Sequence, residues 1–352
     1  MFASKSVRVS GGLAALLVGA LAGPIWPCVA SPEEAKSYLE DAKRQLSKGD
    51  LRAGEIQLRN AVRADPQDAG LHAQLAELYL KLANYPAAEA EAREAQRAHG
   101  KPSDVDPVLA EALAKQNKVT QLFSLVKPSD RDPVAESRVR LTLGLAHLQL
   151  RENKEASQLL KDAERLDDKA LGPKIGMADL MLNEGDLSGA DEELTRARAI
   201  SPNDPNVLLL MGKILFSKGD TAGAISQYGA ILEKTPNDVR ALIDRGNVFI
   251  VENKFEEARK DINRASKISP TSIGANFLSA LLAVKSGKLQ QADDQLTKIS
   301  QNFNYAPLGY YLLGAVQAAL GQPAQAEANL SKYIARDPSN ATARRILAKI
   351  AM

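Results

Sequence analysis

The chain of 352 residues contains one cysteine, three histidines and only 5% aromatic residues. A lone thiol, Cys28, cannot close an intrachain disulfide, so packing alone must hold the fold. His72, His99 and His147 show no metal-ligand spacing. Neither a Gly-x-Ser-x-Gly elbow nor a Gly-rich phosphate loop ending in Lys-Ser/Thr occurs. These absences predict no catalytic centre, no metal and no cofactor. One-signed charge is missing too. With Lys5 and Arg8 set aside, the basic residues equal the 43 acidic ones, and no global field draws such a chain to nucleic acid or anionic lipid.

No apolar run is long enough to span a bilayer. The stretch from Gly11 to Ala22 is about a dozen residues, where roughly 18–20 are needed. Lys5 and Arg8 before it, and Cys28-Val29-Ala30 after a Pro-broken stretch, read as a secretory signal peptide over residues 1–30. Cleavage is expected after Ala30, with Ala20-Leu21-Ala22 as the other candidate, and the mature chain then lies in the periplasm or cell envelope. Cys28 allows a second reading as a lipidation site, although Ile25-Trp26-Pro27 departs from the small-residue pattern that precedes lipidated cysteines. Membrane association is expected only through a lipid on Cys28.

What the chain does have is a period. Cut every 34 residues from Ala35, the eighth place reads Ala42, Ala76, Ala110, Gly144, Ala178, Gly212, Gly246, Ala280 and Gly314. The twentieth reads Gly54, Ala88, Leu122, Ala156, Ala190, Ala224, Ala258, Ala292 and Ala326. Within each frame two apolar stripes recur at helical spacing, as in Val207, Leu208, Met211, Ile214 and Leu215, then Ile225, Tyr228, Ile231 and Leu232. Gly49, Gly185, Gly219, Gly287 and Gly321 share one frame place and close a first helix. Pro66, Pro202, Pro236, Pro270 and Pro338 end a second one. Small residues kept in phase with turns predict helix pairs whose backbones cross closely, stacked into a solenoid.

Leu75-Ala76, Leu143-Gly144, Met211-Gly212 and Leu313-Gly314, with alanines such as Ala88, Ala224 and Ala258 in the second helix, make the chain resemble the tetratricopeptide repeat (TPR) family. The resemblance covers most of the chain. It implies an all-α, right-handed α-solenoid of nine 34-residue helix-turn-helix units over residues 31–340, starting at 35, 69, 103, 137, 171, 205, 239, 273 and 307. Residues 341–352 would form a terminal capping helix or a truncated tenth repeat.

Three places depart from the pattern. In the third frame Leu122 replaces a small residue and Lys127-Pro128 falls inside the second helix, which should stop near Val126. This reads either as a hinge or as drift in a tolerant repeat. The eighth frame lacks its final proline and carries Phe303-Asn304-Tyr305, followed by Tyr310-Tyr311, aromatics that either anchor a partner or pack between helices. The end of the chain reads as a cap or as the start of a longer protein.

In the family, first helices line a concave groove that takes protein or peptide partners. Carried over by frame place, Glu77, Glu111 and Asp179 make the early groove acidic. Lys213, Arg240 and Asn247 form a basic-leaning pocket that Asp244 opposes, and Phe277 and Tyr311 follow as an apolar stretch. A peptide carboxylate beside an apolar anchor would suit that order. Tyr38-Leu39, Gly49-Asp50-Leu51-Arg52, Leu58-Arg59-Asn60-Ala61-Val62 and Asp65-Pro66 further resemble TPR lipoproteins of PEP-CTERM sorting and exopolysaccharide export. That likeness implies an envelope scaffold. The alternatives are an assembly factor for an outer-membrane secretin or pilus, or the repeat region of a longer glycosyltransferase.

Overall fold

The computed structural model describes residues 32–304 and 307–350, and among these the chain is helical with no strand. In order the helices are α1 (Pro32–Ser47), α2 (Leu51–Ala64), α3 (Ala69–Lys81), α4 (Tyr85–Arg97), α5 (Pro102–Lys115), α6 (Val119–Leu125) and α7 (Pro133–Gln149). Next come α8 (Asn153–Leu166), α9 (Leu171–Glu184), α10 (Leu187–Ile200), α11 (Pro205–Ser217), α12 (Thr221–Lys234) and α13 (Val239–Val251). The last are α14 (Phe255–Ile268), α15 (Ile273–Lys285), α16 (Leu289–Ile299), α17 (Leu308–Ala319), α18 (Pro323–Ile334) and α19 (Ala341–Ile350). The leader, Cys28, Tyr305 and the last two residues lie outside the described residues.

Each odd-numbered helix up to α17 packs on the even one after it. From α3 onward each odd helix also touches the next odd one, while the even helices have no comparable mutual packing. Helices that approach one another lie on the shorter arc, so the odd helices line the inside of the curve. The hydrophobic interior is a string of local clusters rather than one centre, as expected of a solenoid. The curl is tight enough for Leu150 and Arg151, after α7, to share a cleft with Pro307, Tyr333 and Asp337.

The small residues sit where the helices cross. From Ala42 to Gly314 every residue of the eighth-place series is buried, as is every residue of the twentieth, including Leu122. A larger residue sixteen positions later covers the glycines: Leu160 on Gly144, Tyr228 on Gly212, Ile262 on Gly246 and Leu330 on Gly314. Only backbone hydrogen at the first position leaves room for the second. Ala348 continues the series in sequence but is exposed, because among the described residues no helix follows α19 to cover it.

The turn inside each pair uses one left-handed residue. Gly49, Gly185, Gly219, Gly287 and Gly321 have φ between 71° and 85° there. Ala83, Asn117, Arg151 and Asn253 take the same conformation at the same frame place, at φ 55° to 65°. Side chains of Asp50, Asn84, Asp186 and Asp220 then cap the second helices, and Asp68, Asp204, Asp238, Ser272 and Asn340 cap first ones.

At the third frame α6 has only seven residues and stops at Leu125, ahead of Pro128. Residues 126–132 run without helix, and across this junction α7 packs on α5 far more than on α6. This junction is bolted rather than loose. Arg131, with a side chain 5% exposed, donates to Asp106 of α5 at 2.5 Å and to Glu136 of α7 at 2.6 Å. Glu136 also accepts from Arg140 and from the Ser129 backbone N–H. Phe303 of the eighth frame and Tyr310 after it are likewise interior. Phe303 is buried, meets Tyr310 edge to face at 5.4 Å and fills the space above Gly309.

Candidate functional site

Among the described residues, one polar cavity of about 590 Å³ opens on the inner face between α7, α9, α11 and α13. Its chemistry comes from Asp179 on α9, Lys213 on α11, Asp244 and Asn247 on α13, and Tyr228 on α12. Leu145, Leu148 and Arg151 close it from the α7 side. The 34-residue repeat places Asp179, Lys213 and Asn247 at one frame position, so they stack up the groove wall.

Lys213 Nζ lies 2.9 Å from Asp179 Oδ1. Burial opposes its charge, but Asp179, helped by Asp244, outweighs that and holds the lysine pKa above its usual value. The ammonium is thus already matched. Asp244 is not. Among the described residues its carboxylate accepts no hydrogen bond, and burial pushes its pKa up to about 6, with Asp179 and Asp238 adding to the rise and Lys213 and Arg240 opposing it.

Tyr228 reaches the cavity from a second helix because Gly212 presents no side chain to stop it. The residue is 1% exposed, and its hydroxyl has no hydrogen-bond partner among the described residues. Burial and the neighbouring Asp244 raise its pKa, so it stays a neutral phenol.

Of the residues expected to form the groove, the structure brings Lys213, Asp244 and Asn247 together and leaves three elsewhere. Arg240 donates to Asn206 Oδ1 at 2.6 Å and to Asp238 Oδ2 at 3.1 Å, at the start of its own helix and outside the cavity. Phe277 and Tyr311 are half-buried near the other end of the array, Tyr311 against Tyr333 at 5.3 Å. With Arg240 withdrawn and Lys213 paired, the basic leaning expected of this pocket is absent. Earlier in the groove, Arg138 bridges Glu77 and Glu111 at 3.2 and 3.5 Å and neutralises part of that acidic stretch. Tyr228 and Arg151 are the site residues that the reading of first helices missed. For Tyr228 the signal available was a bulky polar residue sixteen positions after a glycine; Arg151, in a turn, carried none.

His72 and His147 are embedded in local structure. His72 is buried, with Nδ1 2.6 Å from Glu91 and Nε2 3.1 Å from the Pro66 carbonyl. His147 stacks on Phe123 at 4.4 Å, and His99 sits exposed in the turn between α4 and α5. Among the described residues no group of three or more His, Cys, Asp or Glu side chains could hold a metal ion. No described helix is long and apolar enough to cross a membrane.

Two tetratricopeptide-repeat profiles match the chain, one over residues 147–214 and another over 209–273 and 311–352. The Type IV pilus assembly protein PilF of Pseudomonas aeruginosa is 23% identical over 154 residues, 43% of this chain and 61% of its own length. The match thus spans less than two thirds of that curated relative. A tetratricopeptide repeat protein from Parabacteroides merdae, 17% identical, superposes with a TM-score of 0.53 over 71% of this chain and 99% of its own. The Cut9-Hcn1 hetero-tetramer of the APC/C supplies another similar chain, at TM-score 0.65 and 17% identity, covering 91% of this chain and 64% of that one. At such identities these structures speak for the fold alone.

Proposed function

The chain is a tetratricopeptide-repeat solenoid, and on that premise we propose that it is an exported scaffold of the bacterial cell envelope that holds protein partners along its inner face. Tetratricopeptide-repeat proteins bind protein partners, and the observation that carries the reading here is the polar cavity among α7, α9, α11 and α13, where Asp244 and Tyr228 await hydrogen-bond partners. The signal-like residues 1–30 support export, and Cys28 offers a lipid anchor. Within the envelope, the early segment from Tyr38 to Pro66 supports a place in exopolysaccharide export or PEP-CTERM sorting.

A second reading, pilus assembly, is favoured by the sequence match to PilF. Three experiments separate these claims. Residues 1–30 fused to a phosphatase active only outside the cytoplasm should give activity, and an inactive fusion removes the envelope reading. A photocrosslinking residue at position 247 of the full chain, followed by identification of the trapped protein, decides between polysaccharide-export and pilus components. Palmitate labelling that persists in Cys28→Ala excludes lipidation there.

A further inference from the structure

We infer that the cavity between α7, α9, α11 and α13 receives a cationic side chain, lysine or arginine, from an extended segment of a partner protein. This rests on the scaffold reading and narrows it to one ligand chemistry.

The argument is one of unmatched partners. Lys213 is ion-paired with Asp179 at 2.9 Å, so the charge that α11 would offer to a carboxylate is already offset. Asp244 accepts no hydrogen bond among the described residues. Tyr228, 1% exposed, lines the same cavity with an unpartnered hydroxyl. A half-buried carboxylate and a phenol hydroxyl that face the same cavity without a protein hydrogen bond are free to pair with a donor from outside. An ammonium or guanidinium donates to both, since a neutral phenol oxygen accepts as readily as it donates.

An anion fares worse. It would have to enter beside the unpaired Asp244, with the Lys213–Asp179 pair offsetting its own charges and Arg240 turned toward Asn206 and Asp238. Arg151 is exposed at the rim and can hold the partner's backbone or an acidic flanking residue. Asn247 adds an amide that pairs with main chain. The volume of about 590 Å³ falls in the roughly 300–1,000 Å³ typical of ligand sites, ample for one long side chain and the peptide beside it.

The test is selection of random twelve-residue peptides on the full-length chain, followed by titration of a fluorescein-labelled winner. Enrichment of one Lys or Arg is expected. Replacing it by Gln should weaken binding about tenfold, the scale of one charge-assisted hydrogen bond. Asp244→Asn should cause the same loss for the parent peptide and almost none for the Gln version, while Tyr228→Phe weakens the parent less. Far-ultraviolet circular dichroism of both variants guards against misfolding, and a misfolded variant is replaced by Asp244→Ser. Peptides that bind without a basic residue, with an acidic one, or without regard to position 244 overturn the cation site and leave the scaffold standing. Recovery of no peptide at all overturns both.

Discussion

A side chain at position 212 would collide with the ring of Tyr228: a Cβ built on Gly212 overlaps ring carbons Cε1 and Cζ. The pair joins the two helices of one unit and at the same time sets a wall of the polar cavity. Gly212→Ala should therefore destabilise by about 1–3 kcal/mol, the usual cost of overpacking, despite the helix preference for alanine. Gly229, in the same helix as Tyr228, has nothing within 4 Å of its built Cβ. Gly229→Ala should stabilise by up to about 1 kcal/mol. Urea unfolding of the two variants checks the contrast, and equal shifts would remove the packing argument.

The half-buried carboxylate of Asp244 makes a pH prediction with a definite sign. Its folded-state pKa is raised, to about 6, so the folded chain binds its proton more tightly than the unfolded chain does. The contribution to stability is full below the unfolded value of about 4 and is lost as pH rises through 6. Asp244→Asn should raise the urea midpoint at pH 7.5, and the difference from the parent should shrink toward pH 5. A difference constant across that range would contradict the burial of this group.

Arg131 ties the truncated third unit to the fourth. Removing it in Arg131→Met leaves Asp106 and Glu136 without their shared partner, with Glu136 only 3% exposed. Breaking a buried pair in this way costs about 3–5 kcal/mol. Hydrogen exchange should quicken in α5 and α7 and stay unchanged beyond α11.

The turns allow a gain as well. Ala83 holds φ at 55° in a conformation that other units fill with glycine. Ala83→Gly should add about 1 kcal/mol to the stability of the first units, and Gly49→Ala should subtract a similar amount. Thermal unfolding of both variants reads the sign.

Much of the architecture was legible because small residues and turn glycines keep phase over the 34-residue period. The left-handed turns at Ala83 and Arg151 were not, since neither residue favours that conformation and only the flanking helices impose it. In the candidate site, the frame places of Lys213, Asp244 and Asn247 on first helices anticipate that they line one cavity. The sign of the pocket was misread, because charge depends on which neighbours each side chain reaches. Arg240 and Lys213 look available in sequence, yet Asp238 and Asn206 engage one and Asp179 the other. Tyr228 escaped notice because the family's groove is built from first helices, and it enters from a second one past a glycine.

The cleft between the Leu150–Arg151 turn and the Pro307–Tyr333 segment joins distant parts of a curved array. Every helix junction from α7 to α17 adds its own tilt to the separation of those two rims. A slight repacking at any junction is thereby multiplied into a visible change of aperture, as in a pair of calipers measured at the tips. A fluorophore pair at positions 151 and 308 would turn that leverage into a gauge of what the inner face has bound.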